Sequence, residues 1–227
     1  MSKPTWDAAF EEPPASGRLE FGRPVNCPDG PLGELADLVI DPTSNRVTHL
    51  VVKASDLPGG SRLVPIELVR CDHARRDVTV ECTAEEAATL PGVQEVQYLR
   101  PGEVPVEDAD HEVGVQDLYL MPSGESGAFV DLQPDLEPDV VMSYDRVPKG
   151  TVEVRHLTPV TAADGEELGV LDGMVVDAGR ITHVLLRHGH LWRRRELAIP
   201  VADVAKVGMD AVALRLSREQ VEALSAS

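Results

Sequence analysis

The alternation of apolar and polar residues along the chain predicts short β-strands separated by turns. Residues 33–41 and 46–53 are rich in Leu, Val and Ile, and residues 42–45 between them are typical turn residues. Residues 62–66 form a third predicted strand, and residues 77–82 alternate polar and apolar side chains as a half-buried strand does. Many short strands without long intervening helices indicate an antiparallel β-barrel, a shape that leaves no strand edge exposed.

A short helix is predicted after the alternating strand. Thr83 and Glu86 have the spacing of a capping box, in which each side chain bonds a backbone amide at the start of a helix. Ser217 and Gln220 have the same spacing near the end of the chain. We therefore expect one helix to run to Leu90 and a second to Leu224.

The whole pattern occurs twice. Residues 26–90 match residues 160–224 at an offset that starts at 136, falls to 134 across one turn and stays near 135. A repeat of this length indicates a duplicated domain rather than a solenoid of short repeats. Domains this small leave little margin of stability, so we expect the two copies to support each other or to lean on the segment between them.

The repeat divides the chain into four predicted parts. They are a flexible N-terminal arm at residues 1–17, a small barrel at residues 18–100, a connector at residues 101–150 and a second barrel at residues 151–227, and each barrel carries a short C-terminal helix. The connector holds six prolines and twelve acidic side chains against two basic ones, so it carries most of the net charge of −18. Its apolar stretch at residues 113–121 predicts that the connector is partly ordered.

The acidic charge of the chain disfavours nucleic acid and anionic membranes as partners. The N-terminus lacks the apolar region of a signal peptide, and no stretch approaches the roughly 20 apolar residues that a membrane span needs. Cys27, Cys71 and Cys82 show no paired framework, which is typical of reduced thiols. We expect a cytoplasmic protein with small, semi-buried cysteines, and a redox or metal role for them as the alternative.

Several short motifs recur in the two copies. Those of the first copy are Asp29-Gly30, Leu32-Gly33, Val39-Ile40-Asp41, Thr48-His49-Leu50-Val51-Val52 and Val64-Pro65-Ile66. Those of the second copy are Asp164-Gly165, Leu168-Gly169, Val175-Val176-Asp177, Ile181-Thr182-His183-Val184 and Ile199-Pro200-Val201.

These motifs resemble the PRC-barrel family, whose fold occurs in the cytoplasmic part of the photosynthetic reaction-centre H subunit and in a ribosome maturation factor. The resemblance covers about 130 of the 227 residues. It implies the fold and says little about function, because members of the family share a scaffold rather than an active site. The chain lacks the transmembrane helix of the reaction-centre subunit and the separate N-terminal domain of the ribosome factor, so neither specialised function carries over whole.

Two pairs of equivalent polar residues are candidates for chemistry. His49 and His183 each follow a threonine at the start of an apolar strand, and we interpret them as packed or hydrogen-bonded strand residues, with metal binding or acid–base chemistry as the alternative. Asp29 and Asp164 each precede a glycine, which is a strong turn signal. Acid–base work by these carboxylates is the alternative, but no catalytic partner recurs beside them.

One segment of the second copy has no counterpart in the first and is the candidate interaction surface. It contains two histidines, an aromatic residue and a basic run: His188, His190, Trp192, Arg193, Arg194 and Arg195. Two histidines are too few for a zinc site. The arginines and the tryptophan could contact RNA by charge and stacking. We favour a hairpin whose arginines pair with acidic residues of the chain or of a protein partner.

The sequence contains no P-loop, GxSxG, HExxH, GxGxxG or CxxC motif, so we predict no catalytic residue, no metal site and no cofactor. The leading hypothesis is a non-catalytic protein-binding or adaptor module whose partner is another protein or another copy of the chain. One alternative is a ribosome- or RNA-associated maturation factor. The other is a small-molecule-binding protein or a minor enzyme.

Overall fold

The computed structural model describes residues 15–54, 60–72, 77–99, 110–120, 140–188 and 195–225. These residues are mostly β-strand, with two short α-helices, so the prediction of an all-β protein is confirmed. The larger sheet has fourteen strands and curls into the shape of a half-barrel.

The elements of the first copy and of the N-terminal residues before it are β1 (Gly17–Glu20), β2 (Pro24–Cys27), β3 (Gly30–Asp41), β4 (Arg46–Lys53), β5 (Ser61–Pro65), a 3₁₀ turn (Ile66–Leu68), β6 (Val69–Asp72), β7 (Asp77–Val80) and α1 (Ala84–Ala88). Between the copies lie β8 (Gln94–Leu99), β9 (His111–Leu120) and β10 (Val140–Pro148). The remaining elements are β11 (Val152–Arg155), β12 (Pro159–Thr161), β13 (Glu167–Asp177), β14 (Arg180–His188), β15 (Arg195–Pro200), a 3₁₀ turn (Val201–Asp203), β16 (Val204–Val207), β17 (Val212–Leu214) and α2 (Arg218–Ser225).

The two copies have the same elements in the same order and the same strand pairings. β2 pairs antiparallel with β3 and parallel with β7, and β12 pairs in the same two ways with β13 and β17. The register of the long hairpin shifts between Leu35 and Asp37 in the first copy and between Leu171 and Gly173 in the second. The prediction that the repeat builds the same arrangement twice is confirmed.

The predicted turn and helix signals form as the sequence indicates. The Asp41 carboxylate accepts hydrogen bonds from the Thr43 amide and the Ser44 hydroxyl, at 2.8 and 2.6 Å, and so closes the turn after β3. At the start of α1, the Thr83 and Glu86 side chains bond each other's backbone amides, which completes the capping box. The Ser217 amide donates to the Gln220 side chain at 2.8 Å at the start of α2.

The two copies are joined by an exchange of strands. β1 pairs with β13 of the second copy, opposing Leu19 to Met174. β11 pairs with β3 of the first copy, opposing Val154 to Leu38. All four of these side chains are fully buried and belong to one hydrophobic core that contains residues of both copies. The pairings are reciprocal, as in the isologous interface of a two-fold dimer, although both halves belong to one chain.

The hairpin tips of the two copies also meet reciprocally. The Val47 amide donates to the Gly179 carbonyl at 3.0 Å, and the Ile181 amide donates to the Asn45 carbonyl at 2.9 Å. Ala178 and Gly179 both have positive φ, which suits the shorter turn of the second copy. The contact between the tips continues the sheet from one copy into the other.

Residues of the predicted connector contribute β9 and β10, which form a three-stranded sheet with β8. The end of β10 reaches the outer face of the first copy, where Val147 packs with Val39, Val51, Leu63 and Val93 in a second, smaller core. β10 then leads through a turn into the exchanged strand β11.

Candidate functional site

The segment predicted to be an interaction surface lies at the tip of the β14–β15 hairpin. His188 ends β14 and opposes Arg195, the first residue of β15. The Nδ1 atom of His188 is hydrogen-bonded to the Leu168 carbonyl oxygen, which holds the imidazole against the neighbouring strand. His190, Trp192, Arg193 and Arg194 lie outside the described residues, and so does the Arg195 side chain. Their role as an interaction surface stays a prediction.

The equivalent histidines of the two copies have the same structural environment. His49 Nδ1 lies 3.1 Å from the Thr48 hydroxyl, and His183 Nδ1 lies 3.1 Å from the Thr182 hydroxyl. Each threonine hydroxyl donates in turn to a carbonyl of the preceding strand, at 3.1 Å in both copies. Burial lowers the pKa of His49, so its neutral form is favoured. These contacts match the interpretation of both residues as hydrogen-bonded strand histidines.

The two Asp-Gly turns differ in what their carboxylates bond. Asp29 accepts the Ala84 amide at 3.0 Å, so it ties the turn before β3 to the start of α1. Asp164 accepts the amide of Glu166, two residues further on, at 3.3 Å. Both contacts are to backbone amides, which accords with the turn interpretation.

The three cysteines are free thiols. Burial, together with the neighbouring Cys82, Asp29 and Glu86, raises the pKa of Cys27 to about 11. Burial alone raises the pKa of Cys71 to about 11. A thiol with so high a pKa holds its proton at neutral pH and is a weak nucleophile. This favours the interpretation of the cysteines as small packed residues.

A groove of about 660 Å³, which we call the open groove, lies where the two copies meet. Pro42 and Asn45 line it from the hairpin tip of the first copy, and Val152 lines it from the exchanged strand β11. The opposite wall is the second copy's 3₁₀ turn and β16, including Val204. Because the walls belong to different copies, the groove exists only when the copies are joined.

The lining of the open groove combines an apolar surface with positive charge. Met209 lines the groove and is 43% exposed, which is high for a large apolar side chain. Lys206 and Arg215 also line it, and neither has an ion-pair partner within the described residues. An exposed apolar side chain beside two available cations is a surface that suits an acidic partner with apolar side chains.

The apolar pattern of the sequence does not reveal the open groove, but the charges of the two copies carry a signal for it. At the equivalent register positions the first copy carries Arg70 and Glu81, where the second copy carries Lys206 and Arg215. The second copy therefore keeps one positive charge at this site and has a second positive charge in place of the negative one. The change of charge from Glu81 to Arg215 is the difference between the copies that marks this site.

A smaller ionic cluster lies on the other side of the junction between the copies. Arg187 Nη1 is 3.0 Å from an Asp172 oxygen, and His156 Nε2 is 3.9 Å from the same oxygen. The His156 ring packs against its counterpart Phe21 with ring centroids 5.7 Å apart, and its amide donates to Asp37. Burial and the Arg187 charge lower the pKa of His156. The cluster links side chains of both copies, and Arg187, Asp172 and His156 each have a charged or polar partner within it.

The residue after His156 has an unusual backbone conformation. Leu157 has φ +69° and is 52% exposed, whereas its counterpart in the first copy is Gly22, with φ +73°. The left-handed region disfavours a side chain such as leucine, so the second copy holds some strain at this turn.

No family model matches the chain, and no curated protein matches it either. No helix of the described residues is long and apolar enough to cross a membrane. In the same residues, His, Cys, Asp and Glu side chains form no group of three or more that could hold a metal ion.

Proposed function

We propose that the chain is a non-catalytic protein-binding module, an adaptor whose open groove docks a protein partner. The observation that carries this proposal is the groove itself, which spans both copies and places exposed Met209 beside Lys206 and Arg215. Apolar area gives a protein interface its affinity, and complementary charge gives it selectivity. The net charge of the chain is −18, so Lys206 and Arg215 have few basic neighbours. Their attraction for an acidic partner therefore acts locally, at the groove.

The proposal includes the finer fold that the sequence predicts. In it, each copy is a small PRC-barrel-like domain with a short C-terminal helix, and the two are arranged in tandem. The support is the resemblance of the motifs, the identical strand pairing in the two copies and the curl of the large sheet.

Site-specific photocrosslinking tests whether the groove binds a protein. We replace Met209 with a photoreactive phenylalanine analogue in the full chain and irradiate it in the native host. The matched control carries the same analogue at Leu224, an apolar residue of α2 that is 46% exposed and does not line the groove. We expect a crosslinked protein with the analogue at position 209 and none with the analogue at position 224. A second copy of the chain counts as such a protein.

The crosslink at position 209 should depend on the charges of the groove. The variant with Lys206→Glu and Arg215→Glu should lose it while keeping its far-ultraviolet circular dichroism spectrum. If positions 209 and 224 capture the same proteins in the same yield, or if charge reversal leaves the crosslink intact, the groove is not a protein-binding site and the proposal fails.

The same proposal predicts that the chain does not bind RNA in a salt-sensitive way at physiological ionic strength. Fluorescence anisotropy with labelled single-stranded RNA measures this directly, because phosphate contacts make affinity fall steeply with salt. A micromolar affinity that Arg193→Glu together with Arg195→Glu abolishes would replace the adaptor proposal with the RNA-associated maturation factor.

A further inference from the structure

The two end strands of the large sheet are equivalent, but among the described residues a backbone segment bonds the outer edge of only one of them. β6 and β16 stand at opposite ends of the strand order. At β6, the Ala15 amide donates to the Val69 carbonyl at 3.2 Å, while the Ala15 carbonyl accepts the Gly179 amide at 3.0 Å. Ala15 is 1% exposed. Ala15 thus joins the outer edge of β6 to the hairpin tip of the other copy through its two backbone groups.

The open groove is the counterpart of this occupied place. Val204 is equivalent to Val69, whose carbonyl accepts the Ala15 amide. Asn45 is equivalent to Gly179, whose amide donates to the Ala15 carbonyl. Both Val204 and Asn45 line the groove. The residue equivalent to Ala15 itself is Gly150, which has φ +78° and lies in a turn that the Thr151 amide closes on the Pro148 carbonyl. The chain turns away toward β10 at this point, so none of the described residues bonds the edge of β16 as Ala15 bonds the edge of β6.

The two places differ in charge. At the occupied one, Arg70 forms an ion pair with Glu81 at 2.9 Å, so these two charges cancel. At the open groove, Lys206 takes the place of Arg70 and Arg215 replaces the glutamate, and neither cation has an ion-pair partner in the described part of the chain. The geometry therefore favours a segment that offers backbone hydrogen bonds to the strand edge, and the charge favours acidic side chains on it.

We propose that the open groove binds an extended, acidic segment of a partner protein. Its backbone bonds the outer edge of β16 as Ala15 bonds the edge of β6, and its carboxylates pair with Lys206 and Arg215. This inference rests on the proposed function, because it names the class of partner that the same groove takes. The small side chain of Ala15 indicates that the residue nearest the strand edge is small.

The probe is a fluorescein-labelled peptide with the sequence of residues 11–17, Glu-Glu-Pro-Pro-Ala-Ser-Gly, which contains the occupying alanine and two acids. Fluorescence anisotropy with the full chain should show saturable binding at a Kd below about 1 mM. Replacing both glutamates of the peptide with glutamine should weaken binding. N-methylation of the peptide's alanine removes the backbone donor and should weaken binding by about threefold to tenfold.

Variants of the chain locate the binding. Lys206→Glu with Arg215→Glu should weaken peptide binding by about tenfold, because two attractive contacts become repulsive. Lys53→Glu is the matched control, since Lys53 is an exposed cation that does not line the groove, and it should leave the affinity unchanged.

Each contrary result overturns a stated part of the inference. Equal affinity for the glutamine peptide rules out an acidic occupant, and equal affinity for the N-methylated peptide rules out strand-like docking. If the acidic peptide neither binds nor competes with a protein that crosslinks at Met209, the inference fails while the proposed function stands. If the chain forms a dimer in analytical ultracentrifugation that the double charge reversal abolishes, the occupant is a second copy and the partner named here is wrong.

Discussion

Gly173 provides the sharpest test of the strand exchange, because β1 crosses directly over it. A Cβ atom at this position would lie 2.1 Å from the Leu19 carbonyl oxygen and 2.8 Å from the Glu20 Cα. Both are backbone atoms of the exchanged strand, so no side-chain rotation can relieve the contact. The φ of Gly173, +149°, adds strain for any residue with a side chain.

The expected cost of Gly173→Ala follows from these two effects. Forcing a methyl group into a packed site costs about 1–3 kcal/mol, and a backbone conformation reserved for glycine costs about 1–3 kcal/mol. Alanine recovers up to about 1 kcal/mol by restricting the unfolded chain. We therefore expect a loss of about 1–6 kcal/mol in the free energy of unfolding, measured by urea titration at 25 °C.

Gly165→Ala is the matched control, since Gly165 also has positive φ, +85°, but no atom lies within 4 Å of the Cβ position. It should cost about 1 kcal/mol, from backbone conformation alone. If the two variants lose the same stability, β1 does not lie against β13 and the exchange described above is incorrect.

Three further outcomes are expected from single substitutions. Leu157→Gly should raise the free energy of unfolding by about 0.5–1 kcal/mol, because it gives the second copy the residue that Gly22 supplies in the first; a thermal melt measures it, and a lower Tm would contradict it. Thr83→Ala should cost about 1 kcal/mol by removing the helix cap, whereas Thr83→Ser should cost only a few tenths. Burial holds the pKa of His49 below 6.5, so the unfolded chain binds more protons and stability falls as pH drops through this value. His49→Gln should therefore lose less stability between pH 7 and pH 5 than the wild-type chain does, as urea titrations at both pH values would show.

The local structure of each copy could be predicted from sequence because its signals are short-range. The turn at Asp41 and the cap at Thr83 depend on residues two or three positions apart, and both form as expected. The apolar pattern likewise marks which strands exist. The pattern does not show which strands pair with each other, because any apolar strand can pack against any other.

The exchange of β1 and β11 could not be predicted for that reason. Leu19 and Val154 are fully buried, yet they pack on the opposite copy, far away in the sequence. The open groove was missed because it depends on how the copies meet. The hairpin with the basic run was predicted from local sequence, and the β14–β15 pairing forms, while the role of its arginines stays a prediction.

The strand exchange has a consequence for how the chain folds during synthesis. Ser16 bonds Asp177, a residue 161 positions later, and β11 can cover β3 only after residue 155 has been made. The N-terminal half therefore leaves the ribosome with an apolar strand edge exposed, and it waits for the C-terminal half before its sheet is complete. Contacts between such distant residues form slowly, because a long loop must close before they contribute. The step most vulnerable to aggregation is thus the interval between the synthesis of the two copies, and slower translation of the connector would lengthen it.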